Sequence, residues 1–227
     1  MTDNIDTFYV IDFDRCLSDT DRLDELFYEL VGDYSEVDVA NLKRLRNTAE
    51  SEGGSFDQIT ELQKSLSPER LNEFFEFFIT AGLERDLMAY GARDFLISLD
   101  KKHIPYGIVS YGHPDWQRVK IKASGLAAIQ YMIINHSHKG EVVATWQQSD
   151  STFLIPGSLT TTNVPIDVKT VVLLDDKAVA FDKLPKEARG YWVQSATRPL
   201  LPSQKGTIPA NVSVAKGFDQ VLAFELL

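Results

Sequence analysis

Asp12 and Asp14, two residues apart at the end of an apolar run, are the first residues of the chain whose types and spacing suit chemistry. The run Phe8-Tyr9-Val10-Ile11 is aromatic and β-branched with no charge, which reads as a strand buried on both faces. Alternate residues of an extended chain point the same way, so both carboxylates project from the strand's C-terminal edge, where open α/β sheets hold their ligands. Like charges that close need a cation or a shared proton. Taken alone, the stretch is explained equally well by a strand running into an ordinary acidic turn.

Three later stretches repeat the pattern. Ile104-Pro105-Tyr106-Gly107-Ile108-Val109-Ser110 is an apolar strand ending in a hydroxyl, and Thr170-Val171-Val172-Leu173-Leu174-Asp175-Asp176 is another ending in paired acids. Between them, Tyr131-Met132-Ile133-Ile134-Asn135-His136 leads into a predicted loop carrying Lys139. In a parallel sheet these strand ends share one edge, so two carboxylate pairs, a hydroxyl and an ammonium converge on one crevice.

Helical periods fill the stretch between the first and second strands. Leu23, Leu26, Phe27, Leu30 and Val31 trace one amphipathic helix, and Ser35-Glu36-Val37-Asp38 caps a second with Leu42, Leu45 and Ala49, ending near Gly53-Gly54. Ser55-Phe56-Asp57-Gln58 has the form of a capping box for a third helix through Ile59, Leu62 and Leu66, and Ser67-Pro68 starts a fourth. In that fourth helix Leu71, Phe74, Phe75, Phe78 and Ile79 form a core stripe, and Phe77 falls off it.

Further along, a helix through Ala92, Phe95, Leu96 and Leu99 returns to the Ser110 strand, and His113-Pro114 opens another that Gly125 stops. The segments 141–146 and 152–155 read as a β-hairpin or irregular flap, and 177–189 as helix or loop. A strand at 190–194, a Pro-rich surface loop at 198–209, a short strand at 212–215 and a closing helix at 218–227 complete the chain. Strands alternating with helices predict a three-layer, parallel α/β core.

Composition narrows the function. The 227 residues are 44% hydrophobic, enough for a substantial core. A net charge of -10, with no compensating run of Lys and Arg, argues against a general nucleic-acid or anionic-membrane binder. The acidic N-terminus without an apolar segment, the lack of any membrane-length apolar run and the single cysteine predict a cytoplasmic protein. The sequon Asn211-Val212-Ser213 is then without consequence. Oligomeric state has no signature.

The ordered set of motifs resembles the haloacid dehalogenase (HAD) superfamily, most of whose members are magnesium-dependent phosphatases. The family's first motif, D-x-D-x-[TV]-[LI] after an apolar strand, is matched by Asp12-Phe13-Asp14-Arg15-Cys16-Leu17, with Cys16 in place of Thr or Val. Ser110 matches the second, Lys139 the third and Asp175-Asp176 the fourth, in the family's order and over nearly the whole chain. The resemblance implies an α/β protein with a three-layer, Rossmann-like parallel core at 1–17 and 89–227. An inserted all-helical cap of type 1 at 18–88 would close over the site and carry specificity.

It further implies a phosphatase acting on a small phosphorylated metabolite. Asp12 would be the nucleophile that forms an aspartyl-phosphate, and Asp14 the acid and base that protonates the leaving oxygen and then activates water. Mg2+ would be held by Asp12, Asp14 (through its backbone carbonyl), Asp175 and Asp176, with Ser110 and Lys139 on the phosphoryl group. Lys120, Lys122 and Lys169 compete with Lys139 for the third motif, Arg15 stands where many relatives have a small residue, and Asp182 lies where some keep another acid. Asp14 favours phosphoryl transfer over carbon–halogen cleavage, since a departing halide needs no proton. A phosphomutase would use the same residues, and a HAD-fold module without turnover is the non-enzyme alternative.

Two other classes fit less well. Cys16 to Arg22 has the C-x5-R spacing of cysteine phosphatases, but the intervening loop lacks Gly and carries two acids. A receiver domain lacks both D-x-D on its first strand and a helical insertion after it.

Overall fold

The computed structural model describes residues 6–51, 56–195 and 199–225. Its strands are β1 (Thr7–Ile11), β2 (Tyr106–Tyr111), β3 (Tyr131–Ile134), β4 (Phe153–Ile155), β5 (Ile166–Val168), β6 (Thr170–Asp175), β7 (Arg189–Val193) and β8 (Val212–Ala215). Its helices are α1 (Thr20–Val31), α2 (Val39–Ser51), α3 (Gln58–Leu62), α4 (Pro68–Leu83), α5 (Ala92–Lys101), α6 (Pro114–Ala123), α7 (Lys139–Trp146) and α8 (Phe218–Glu225). The chain divides into two compact units, one of residues 1–17, 88–111 and 128–227, the other of 18–87 with 112–127.

The first unit is an α/β, Rossmann-like core built on a six-stranded sheet in the order β3-β2-β1-β6-β7-β8. Every pairing in it is parallel. Strands of this kind are covered on both faces, which explains why Phe8 to Ile11 and Val171 to Leu174 are buried without alternation. Phe8 and Val10 face a cluster that includes Val143 and Trp146 of α7, Phe153 and Ile155 of β4 and Val168 of β5. The alternate residue Tyr9 meets Phe95 of α5, and Phe95 meets Phe218 of α8. α8 is also tied down through Glu225, which accepts from the hydroxyls of Tyr9 and Tyr191. The sheet grows outward in both directions from β1, so the β1/β6 boundary is its topological switch point.

The second unit is helical. Its core is aromatic: Trp116 of α6 lies 4.7 Å from Phe78, and Phe27 lies 5.6 Å from Phe74, both ring centroid to centroid. The indole N–H of Trp116 donates to Gln58 Oε1 at 2.6 Å, satisfying a donor the cluster would otherwise bury unpaired. Phe77 is exposed, as its place off the stripe predicts. α6 therefore packs with helices far from it in sequence.

Several local expectations shift. The predicted capping box at Ser55 lies outside the described residues, as do Gly53, Gly54, Arg198 and the last two positions of the closing helix. The α3 cap is instead Asp57, which accepts from the backbone N–H groups of Ile59 and Thr60. Ser67 does cap α4, and Asp38 accepts from Asn41 N ahead of α2. The segment 141–146 is not a strand but most of α7. Lys139, Gly140, Val143 and Trp146 recur at helical spacing and are buried, and that tertiary burial overrides the β-branched pair Val142-Val143. The hairpin forms later, between β4 and β5. Among the described residues, no helix is long and apolar enough to cross a membrane.

The α4–α6 contact yields a stability prediction. A Cβ on Gly82 would stand 2.9 Å from the backbone oxygen of Ala123, so Gly82→Ala has to push the helices apart. We expect a loss of roughly 1–3 kcal/mol, the usual cost of overpacking, seen as a lower urea midpoint. An unchanged midpoint would show that the two helices separate freely.

Candidate active site

The sheet delivers the site residues to its C-terminal edge. β1 ends at Ile11, yet Asp12 N still donates to Leu174 O at 2.9 Å, which keeps Asp12 beside the end of β6. The chain then turns rather than continuing extended to Asp14, as the alternation argument assumed. Leu17 N closes back on Asp12 O, and Arg15 adopts φ 58°, a left-handed conformation costly for a residue with a Cβ. Asp12 is buried and Asp14 half-buried.

Lys139 is the hub. It sits in the first turn of α7 rather than in a loop, 3% exposed, and its Nζ donates to Asp12 Oδ1 at 2.8 Å and also to Asp175 Oδ2. Gly140 lets the helix come this close: a Cβ there would run into the backbone oxygen of Asp182. Asp175 is fully buried, and its other oxygen accepts from Lys177 N at 2.8 Å. Asp176 uses Oδ2 to accept from Gln204 Nε2 at 2.6 Å, while its Oδ1 is buried without a hydrogen-bond partner. Ser110 Oγ, at the end of β2, is likewise buried and unpartnered.

The electrostatics follow from this crowding. Burial pushes the Asp12 carboxyl up; Lys139 opposes the shift and Asp175 adds to it. Asp176 is raised for the same reason, burial first and then its carboxylate neighbours. Burial alone would lower the Lys139 ammonium, but Asp12 and Asp175 outweigh it and hold the group charged. Cys16, fully buried nearby, has its thiol pushed well above the ordinary value by burial and then by the acids, which is the opposite of what a nucleophilic thiolate needs.

Asp12, Asp175 and Asp176 present carboxylate oxygens within 4.8 Å of one another. These residues fit a divalent cation. All the donors are hard oxygens, one of them has no partner, and a single ammonium cannot balance three buried carboxylates.

Of the competing lysines, Lys169 pairs with Asp6 at 2.7 Å at the start of β6, away from the site edge, while Lys120 and Lys122 lie on α6. The rings of His136 and His138 have centroids 6.0 Å apart, an Asp182 oxygen lies 3.2 Å from His138 Nδ1, and Asp182 is not in the group formed by Asp12, Asp175 and Asp176. His113 occupies the N-cap position of α6. The residue that sequence reasoning missed is Gln204, placed by the Pro-rich loop; no spacing or motif marked it.

No family model and no curated protein sequence matches the chain. Solved structures do. A haloacid dehalogenase-like hydrolase from Burkholderia xenovorans LB400 superposes with a TM-score of 0.60 at 22% identity, over 95% of this chain and 97% of that one. The HAD-hydrolase YfnB from Bacillus subtilis, solved bound to magnesium, gives 0.56 at 13% identity, over 99% and 100%. L-2-haloacid dehalogenase from Xanthobacter autotrophicus gives 0.53 at 11% identity, over 97% and 99%. The chain has the haloacid dehalogenase fold, with its acidic cluster at the switch point of the sheet.

The hub role of Lys139 is testable without substrate. In metal-free buffer, Lys139→Met leaves buried carboxylates uncompensated, and we expect it to lose about 3–5 kcal/mol in urea unfolding. Equal stability of the two proteins would mean that the acids are already neutral in the folded state.

Proposed function

We propose that this protein is a magnesium-dependent phosphomonoester hydrolase that works through an aspartyl-phosphate on Asp12 and acts on a small phosphorylated metabolite. The observation that carries the reading is the hydrogen bond from Lys139 to Asp12 beside an acidic cluster in which Asp176 Oδ1 has no partner, with Ser110 Oγ, also buried and unpartnered, on the neighbouring strand β2. An ammonium on the nucleophilic carboxylate, a vacant carboxylate oxygen and a vacant hydroxyl are what a phosphoryl dianion with its counter-cation requires.

In this reading Asp12, Asp175 and Asp176 would hold the cation, with the backbone carbonyl of Asp14 as a further ligand. Bound magnesium would neutralise the phosphoryl oxygens that otherwise repel the attacking carboxylate. An Asp12 oxygen attacks phosphorus while the ester oxygen departs, and the Asp14 carboxyl gives that oxygen its proton. Asp14 then takes a proton from water as the water attacks phosphorus, releasing inorganic phosphate and restoring the Asp12 carboxylate. Ser110 donates to a phosphoryl oxygen, and Lys139 steadies Asp12 and the charge developing beside it. The helical unit is the cap in this scheme, and the acidic composition of the chain suits a cytoplasmic setting.

The fold alone does not choose this chemistry, since an L-2-haloacid dehalogenase shares it. Asp14 supports phosphoryl transfer, because an alkoxide leaving group needs a proton and a halide does not. Hydrolysis of an aryl phosphate, followed as inorganic phosphate, tests the reading. We expect release with magnesium and none after chelation. Asp12→Asn should be inactive, Asp14→Asn slower by about 10²–10⁴-fold, and Cys16→Ser close to wild type. Full activity in Asp12→Asn would refute the covalent mechanism, and dependence on Cys16 would revive the thiolate alternative.

A further inference from the structure

We infer that Gln204 is the positioning residue for Asp176, and that through it the seating of the loop around 199–209 and occupancy of the cation site are one coupled event. This rests on the reading of Asp12, Asp175 and Asp176 as a cation site.

The orientation of the Gln204 amide is set from both ends. Its Oε1 accepts from the backbone N–H of Leu201 at 2.7 Å, an interaction only the oxygen can make. The amide nitrogen must therefore face Asp176, where it donates to Oδ2 at 2.6 Å. Trp192 Nε1 donates to the Asp176 backbone carbonyl at 2.8 Å and anchors the residue from the β7 side. One carboxylate oxygen of Asp176, a member of the acidic cluster, is thus engaged, and the other is buried without a partner. Outer partners of this kind fix ligand orientation, and losing one typically weakens metal binding ten- to hundred-fold.

The loop that carries Gln204 is seated by contacts at both of its ends and at its centre. Leu200 and Ile208 pack against the core cluster on either side of it, and Gly206 approaches Ala178 so closely that a Cβ would stand 2.9 Å from the Ala178 Cβ. Ala178 begins the turn that follows Asp175 and Asp176, so the loop lies against the segment it orients. Lifting the loop withdraws the amide from Asp176, which frees that carboxylate to rotate. Linkage then requires the reverse: a cation that prefers the seated arrangement holds the loop down. Lys205, next to Gln204, is exposed and gives trypsin a reporter bond, Lys205-Gly206. The nearby Arg198-Pro199 bond resists the enzyme.

Calorimetric titration with magnesium, on wild type and Gln204→Met, comes first. We expect a dissociation constant ten- to hundred-fold weaker in the variant, with urea unfolding in chelator run alongside to separate any general loss of stability. Trypsin cleavage at Lys205 is timed with and without magnesium. In wild type, magnesium at ten times its dissociation constant should slow cleavage roughly tenfold, and at that concentration it should have little effect on Gln204→Met. Equal magnesium affinity in the two proteins would overturn the inference, as would wild-type cleavage indifferent to magnesium, a result that stands even if the variant does not fold. A wild type that binds no magnesium would instead refute the cation-site reading itself.

Discussion

A lysine enclosed by carboxylates is the constraint on which the α/β unit depends. Lys139, Asp12 and Asp175 form a buried ionic group, and Asp176 stands beside it with an unpartnered oxygen. Charges out of water are tolerated only where geometry is good and the remaining lone pairs are satisfied. The group is accordingly assembled from three places in the chain: Asp12 just after β1, Asp175 at the end of β6 with Asp176 next to it, and Lys139 in the first turn of α7. The imbalance that remains is what makes the place suited to a cation.

The rest of the core serves that placement. β1 and β6 run parallel with Tyr9 level with Val172 and Ile11 with Leu174, so Asp12 and Asp175 leave the sheet side by side. The glycines enter where backbones approach closely, Gly140 letting α7 settle against the turn at 182–184 and Gly206 letting the Pro-rich loop settle against Ala178. The helical unit is a separate problem with its own solution. An aromatic cluster around Trp116 joins α6 to α1 and α4, and Gln58 supplies the one acceptor the indole needs.

The legible parts of the site were those that local pattern encodes. Asp12, Asp14, Ser110, Asp175 and Asp176 each end or follow an apolar run, and a parallel sheet puts such ends on one edge whatever else the chain does. Lys139 was singled out by its position after β3, although its surroundings were misread, because the apolar pattern of 141–146 suits a strand and a buried helix alike. The cap of α3 was placed at Ser55 because the S-x-x-Q spacing is satisfied there, while Asp57, two residues on, has the side chain that reaches the free N–H groups.

The sequence by itself determined the parallel α/β core, the inserted helices and the acids at the strand ends, because these follow from period, length and residue type within short windows. Only the tertiary structure decided that α6 joins the helical unit, that Lys139 begins a helix, and that Gln204 reaches Asp176 from 28 residues away. Those outcomes depend on which buried polar atoms find partners across the fold, and no local pattern carries that information.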